Sequence, residues 1–219
     1  MERYLAAGKE YIRHHLPQQA LVSAVLFGAA PLIVGVENLS QVETAQLLDF
    51  YAVLPGMILL IPIFLPEQNP DIRDLIRSKY TSMGSIYLIR ILLSALVMVL
   101  LTTAFVWMLK QGGCSFPAGK FFLAALSGMI FLGGLGAAAY ALSGNPVIGY
   151  MASLAYYLFA FGTGEKYLGN WFLFSLSAGG YTEKRYLAVT GLICLLMAVW
   201  VSIHKERPEK KHCLFWKSE

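Results

Sequence analysis

A run of 44 residues without a charged side chain, from Phe121 to Gly164, limits the possible folds of this chain more than any other feature. A helix crosses a bilayer with about 20 mostly apolar residues, so the run is too long for one crossing. Its middle contains Ser143-Gly144-Asn145-Pro146, a strong break for a helix. The run therefore predicts two membrane spans, residues 121–142 and 147–162, joined by a short turn.

The composition of the whole chain also indicates a membrane protein. Hydrophobic residues make up 57% of its 219 residues and charged residues only 14%, whereas soluble domains carry roughly 25% charged residues. Four further apolar stretches predict spans at residues 18–36, 50–65, 85–109 and 186–203. We expect an all-α integral membrane protein with six transmembrane helices in a single domain, residues 1–219.

The prolines and glycines of these spans predict a packed bundle. Pro55 and Pro62 interrupt the second span, so neighbouring helices must satisfy the backbone carbonyls that they free. Gly128, Gly133 and Gly134 belong to a stripe of small residues that lets helix backbones approach closely. Bundle packing explains that stripe as well as a transport path does.

Three segments are not predicted to span the membrane. Residues 2–16 alternate apolar and basic side chains, which favours a helix lying on the membrane surface over a frayed polar tail. Residues 167–182 are apolar but interrupted by Gly169, Asn170 and a Gly179-Gly180 pair, which favours a re-entrant or interfacial helix. Residues 204–219 form a basic tail.

The distribution of basic residues predicts the orientation. Of the 17 Lys and Arg residues, 12 fall in the N-terminal segment, the tail and the connection between the second and third spans. The first loop on the other side, residues 37–49, contains three acidic residues and no Lys or Arg. Because Lys and Arg accumulate on the cytoplasmic side, we expect a multi-pass cell-membrane protein with both termini in the cytoplasm.

A polar island, residues 61–90, separates the second and third apolar stretches and predicts a short amphipathic helix at residues 67–80. Asn69 suits the N-cap and Pro70 the first helical position. The apolar residues Ile72, Leu75, Ile76 and Tyr80 recur at helical spacing, with Arg73, Arg77 and Lys79 off that face.

The sequence contains no recognisable catalytic, nucleotide or metal site. The stretch from Gly112 to Phe121 resembles a phosphate-binding loop but has Cys114 where the first glycine belongs and Phe121 where Ser or Thr belongs. The predicted span interiors contain no Asp, Glu, Lys or Arg, which disfavours an intramembrane enzyme and a proton-driven transporter. The three cysteines lack metal-ligand spacing, and a concentrated basic surface for nucleic acid is missing.

Hydroxyl side chains are the main polar groups within the predicted spans. They suit a path for amphipathic cargo and bundle packing equally well. The group comprises Ser127, Tyr140, Ser143, Tyr150, Tyr156 and Tyr157.

Taken together, the layout resembles the membrane subunit of a type-2 ATP-binding-cassette (ABC) exporter. Such permeases have six spans, an interfacial N-terminal helix, a cytoplasmic coupling helix between spans two and three, and re-entrant helices before the last span. The corresponding segments here are residues 2–16, 67–80 and 167–182. The match covers nearly the whole chain as an architecture, without a short diagnostic motif.

The resemblance implies the partners of this chain. In that family the ATPase is often a separate polypeptide, which binds ATP and Mg²⁺, so no cofactor is expected in this chain. Two permeases, identical or different, and two ATPases form the functional unit, surrounded by membrane lipid. The coupling helix would dock on the ATPase, or its apolar face would bury in the lipid headgroups instead. The residues in question are Asp71, Ile72, Arg73, Asp74, Leu75, Ile76, Arg77, Lys79 and Tyr80.

Under this hypothesis the chain moves an amphipathic cargo, such as a peptide, lipid or drug-like molecule, because its predicted spans lack charged selectivity groups. A second hypothesis is a non-transporting membrane protein, such as an immunity or scaffold subunit. It predicts no ATPase partner and no dependence on the island.

Overall fold

A computed structural model describes residues 2–68 and 83–205 of the chain. The regular structure of these residues is helical. In chain order, the α-helices are α1 (Glu2–His14), α2 (Leu16–Ile33), α3 (Gln41–Phe50), α4 (Leu54–Leu60), α5 (Met83–Gln111), α6 (Ala118–Ser143), α7 (Pro146–Thr163), α8 (Glu165–Leu168) and α9 (Thr182–Lys205). Two 3₁₀-helices, Ile61–Gln68 and Gly169–Trp171, follow α4 and α8.

The long helices run alternately up and down between two ends of a bundle. At one end, which we call the N-terminal end, Lys205 of α9 donates a hydrogen bond to Leu142 O of α6, and Tyr11 of α1 contacts Ser94 of α5. At the opposite end, the Asn38 N–H donates to Gly112 O over 2.7 Å. The described ends of the chain, α1 and the last turn of α9, therefore lie at the same end of the bundle.

Several apolar elements are long enough to cross a membrane. Among the described residues, five qualify by length and composition: α2, the broken stretch Gln41–Pro66, and helices α5, α6 and α9. A sixth is counted if α7 and the stretch Glu165–Trp171, bent by 114° relative to it, are taken together. This finding agrees with a multi-span helical membrane protein. The predicted arrangement of six spans stays a prediction.

The second span begins earlier than residue 50, where the sequence analysis placed it. Ser40 and Glu43 form a capping box, in which the Ser40 hydroxyl accepts from the Glu43 N–H and the Glu43 carboxylate accepts from the Ser40 N–H. This reciprocal cap starts a helix at Gln41. The apolar stretch therefore runs over Gln41–Pro66 and includes Asp49, which we had assigned to a loop.

The segment at residues 167–182 does not form one continuous helix. Only α8 and the Gly169–Trp171 turn are helical, and residues 172–181 follow as turns and bends before α9. Gly169 and Gly179 adopt positive φ angles of 49° and 84°, which end a helical path. Residues 172–176 are nevertheless buried in the protein.

The structure describes the predicted N-terminal segment, but it leaves out most of the predicted coupling helix and of the tail. The N-terminal segment is helical over Glu2–His14. Its location on the membrane surface stays a prediction. The predicted coupling helix lies outside the described residues except for its first two positions, which belong to the 3₁₀-helix. Residues 206–219 of the tail also lie outside them.

Helix α6 is the central element, and its glycines permit close packing. Gly133 faces α4, Gly134 faces α9 and Gly136 faces α7. A Cβ at Gly134 would overlap the carbonyl oxygen of Gly191, and a Cβ at Gly133 would lie 2.5 Å from a backbone oxygen of α4. Backbone atoms cannot move aside as a flexible side chain can, so the glycine stripe does serve close packing.

The outward surfaces of the long helices are apolar. Large exposed side chains lie along α5 and α9, among them Leu92, Leu96, Leu100 and Trp107, and Val189, Ile193, Leu196 and Trp200. An apolar surface of this extent matches hydrocarbon rather than water.

We predict that Gly134→Ala destabilises the bundle by roughly 1–3 kcal/mol, because the added methyl overlaps backbone of α9. The matched control is Gly28→Ala in α2, where a Cβ meets no atom within 4 Å; it should leave stability unchanged or raise it by up to about 1 kcal/mol. The thermal unfolding midpoint of each variant in detergent measures the effect. Equal midpoints would contradict the described approach of α6 and α9.

Candidate functional site

The structure describes both flanks of the predicted coupling residues, although residues 71–80 themselves lie outside it. The 3₁₀-helix Ile61–Gln68 precedes them in the chain and α5 follows them. Within the 3₁₀-helix, Pro66 lacks the N–H that Ile63 O would accept in the regular i→i+3 pattern. The Arg90 guanidinium of α5 donates to Ile63 O over 3.0 Å instead. The buried Arg90 side chain thus connects the backbone of the 3₁₀-helix to α5.

Arg90 also connects this junction to the N-terminal helix. Its guanidinium carbon lies 5.5 Å from the centre of the Tyr11 ring, within the range of a cation–π interaction. The Tyr11 hydroxyl donates to Gln19 of α2 over 3.1 Å and lies 3.3 Å from the Ser94 hydroxyl. Burial lowers the pKa of the adjacent His15, and the positive charge of Arg90 acts in the same direction. Helices α1, α2 and α5 and the 3₁₀-helix therefore meet at one point.

Aromatic packing completes the junction. The Phe64 ring lies edge-on to Tyr87 and to Tyr140, with centroid distances of 5.0 and 5.9 Å. The Tyr140 hydroxyl donates to Phe64 O over 3.2 Å. The 3₁₀-helix is consequently held by both α5 and α6 at Ile63 and Phe64.

A buried ion pair lies deeper in the bundle, and the sequence analysis missed it. Lys184 Nζ lies 2.6 Å from Asp49 Oδ1, with the carboxylate fully buried and the lysine side chain 4% exposed. The sequence pattern places both residues in loops and predicts spans without charged side chains. The signal that would have found Asp49 is the Ser40–Glu43 capping box, because it extends the helix past Asp49.

Both charged groups also bind the non-helical segment before α9. Lys184 Nζ donates to Leu173 O over 2.5 Å, and the Ser177 N–H donates to Asp49 Oδ2 over 3.0 Å. Charges buried in an apolar setting need a partner and further hydrogen bonds. Here each charged group has the other as its partner and has a further hydrogen bond to the backbone. Those bonds also satisfy Leu173 O and the Ser177 N–H, which lie outside any helix.

The predicted hydroxyl residues bond mainly to backbone carbonyls. Tyr157 donates to Phe50 O over 2.9 Å, at a break where the Leu54 N–H bonds to Tyr51 O instead. Tyr156 donates to Trp171 O over 2.6 Å. Ser127 and Ser143 donate to carbonyls of their own helix. These contacts favour a structural role, and the structure does not bring the hydroxyls together into one site.

Within residues 2–68 and 83–205, no group of three His, Cys, Asp or Glu side chains is placed to hold a metal ion. No protein-family model, curated protein or solved structure matches this chain. Any assignment of function therefore depends on the geometry and on the sequence pattern.

We predict that Lys184→Met lowers the free energy of unfolding by roughly 3–5 kcal/mol, because it leaves the Asp49 carboxylate buried and unpaired. The double variant Asp49→Asn/Lys184→Met should lose less than the sum of the two single variants, since no unpaired charge is left. Chemical unfolding in detergent measures the free energies of unfolding of the parent protein, the two single variants and the double variant. Lys166→Met, an exposed lysine of α8, is the control and should change little. Additive losses would show that the two side chains are not coupled.

Proposed function

We propose that this chain is the membrane-spanning permease subunit of a type-2 ABC exporter. It would move an amphipathic cargo across the cell membrane while a separate subunit hydrolyses ATP. The observation that best supports the proposal is the junction around Arg90. The two described flanks of the connection between the second and third spans lie at the N-terminal end of the bundle, and Arg90 joins them. A coupling segment needs such an attachment, because a force on it must reach the spans.

The junction suggests how that force travels. Movement of residues 67–80 by a closing ATPase dimer would displace the 3₁₀-helix and the start of α5 together, because Arg90 bonds Ile63 O. The Tyr11 ring on Arg90 would carry the movement to α1. In this proposal Asp71, Arg73, Asp74, Arg77 and Lys79 make the polar contacts with the ATPase. Ile72, Leu75, Ile76 and Tyr80 form the apolar face of the same helix.

The remaining parts of the proposal follow from the sequence pattern. A second permease, identical or different, would complete the transport path, and ATP and Mg²⁺ would bind to the ATPase subunits. The basic residues near the N-terminal end of the bundle favour its placement in the cytoplasm, together with both termini. The ATPases would then reach the coupling helix from the cytoplasm.

We predict that purification of the tagged full-length chain from its native membrane in mild detergent also yields a polypeptide with a P-loop ATPase sequence. The triple variant Asp71→Ala/Asp74→Ala/Arg77→Ala should reduce the amount of this polypeptide and the ATPase activity of the eluate at least about tenfold, because docking loses charged contacts at its centre. Quantitative mass spectrometry and phosphate release measure the two effects.

The matched control is the triple variant Glu37→Ala/Glu165→Ala/Lys166→Ala. It changes the net charge by the same +1, but its residues are exposed at the opposite end of the bundle. It should leave both readouts unchanged. Equal ATPase recovery from the parent and the Asp71–Asp74–Arg77 variant would remove the coupling role. An eluate without any ATPase would favour a non-transporting membrane protein.

A further inference from the structure

The stretch at residues 172–180, which we call the inserted segment, has an irregular backbone, and its first five residues are buried. Leu173 and Ser175 have no exposed surface, and Phe174 is 2% exposed. Leu173 and Phe174 belong to the same buried cluster as Val53, at the break of the second span, and Leu132, near the middle of α6. The segment therefore fills the interior of the bundle well below its opposite end.

Irregular backbone at this depth requires hydrogen-bond partners from elsewhere. The inserted segment satisfies part of the need itself, because the Gly180 N–H donates to Ser175 O over 2.8 Å and the Gly179 N–H donates to Leu176 O over 3.1 Å. Two of its other backbone groups bond to the ion pair: Leu173 O accepts from Lys184 Nζ, and the Ser177 N–H donates to Asp49. The ion pair is thus the charged attachment of the segment to α3 and α9.

The chain on both sides of this attachment can turn with little steric resistance. Gly164 and Gly169 precede the segment and Gly179 lies near its end, all three with positive φ angles. An ideal Cβ at any of them would meet no other atom within 4 Å. Glycine adopts both signs of φ readily, so these positions permit the segment to change its angle to the bundle.

Two polar atoms in this region are buried without a hydrogen-bond partner among the described residues. They are Ser175 Oγ in the inserted segment and Glu183 Oε2 beside Lys184. Buried polar atoms are normally paired, and each exception raises the free energy of the arrangement that contains it. Withdrawal of the segment would expose both atoms to water. The two unpaired atoms therefore raise the free energy of the inserted position relative to a withdrawn position.

We propose that Asp49 and Lys184 form a latch that keeps the inserted segment inside the bundle. Release of the latch withdraws residues 172–180 toward the opposite end while the helices stay packed. A buried ion pair adds little net stability compared with apolar side chains of similar size. Ionisable residues at membrane depth mark functional positions more often than structural ones. The latch does not depend on an ATPase partner and stands apart from the proposed function.

Cysteine accessibility tests the latch. In a background with Cys114, Cys194 and Cys213 replaced by Ala, Ser175→Cys reports on the inserted segment. Thr102→Cys, at a fully buried position of α5, reports on the bundle. Purified protein in detergent is treated with a water-soluble maleimide. With the native pair, we expect the Ser175→Cys reporter to react faster than the Thr102→Cys reporter, since the segment opens on its own.

Lys184→Met should speed labelling of the Ser175→Cys reporter by about a hundredfold. The Thr102→Cys reporter should also gain reactivity, because the variant lowers the free energy of unfolding, but it should still react far more slowly than the Ser175→Cys reporter. The double variant Asp49→Asn/Lys184→Met keeps no unpaired charge, yet still lacks a donor for Leu173 O. It should recover stability but keep the fast labelling. Equal labelling rates at the two reporters would show that the segment opens only through global unfolding and would overturn the latch. Unchanged labelling at Ser175→Cys, or a return to the native rate in the double variant, would also overturn it.

Discussion

The need to pair every backbone polar group inside an apolar medium governs this structure. A bilayer core offers no water, so the backbone groups that are freed where a helix is interrupted must find partners within the protein. The protein does this repeatedly. Arg90 donates a hydrogen bond to Ile63 O, which Pro66 leaves without a donor. Tyr157 donates to Phe50 O, and Lys184 donates to Leu173 O. Each of these three side chains donates to a carbonyl at a place where the backbone of another element is interrupted.

This requirement explains why the second span can be so irregular. Its prolines and its break at residues 51–53 would be costly in an isolated helix. Here α4 packs directly on α6, because Gly56 and Gly133 let the two backbones approach. The donors on α5 and α7 then reach the freed carbonyls. The hydrogen bonds to the freed carbonyls of the second span therefore depend on the close packing that the glycines permit.

The sequence was sufficient to predict the features that follow from long apolar runs and from strong helix-breaking residues. The apolar runs predicted helical spans, and Ser143–Pro146 predicted the turn between α6 and α7, where Asn145 caps the new helix. The Asp49–Lys184 pair was beyond such reasoning, because 135 positions separate its members. The mixed conformation of residues 167–182 depends on tertiary bonds to that pair. The coupling function stays a prediction from the pattern, since residues 71–80 lie outside the described structure.

The long sequence separation of these contacts has a consequence for biosynthesis. Asp49 emerges from the ribosome 135 residues before Lys184. At roughly 5–20 residues per second, the delay is on the order of 10 s. During that time the second span lacks its counter-charge, and for most of it also the Tyr157 hydroxyl, which follows Phe50 by 107 residues. The early half of the protein must therefore be sheltered, or enter the bilayer late, until the last helix arrives.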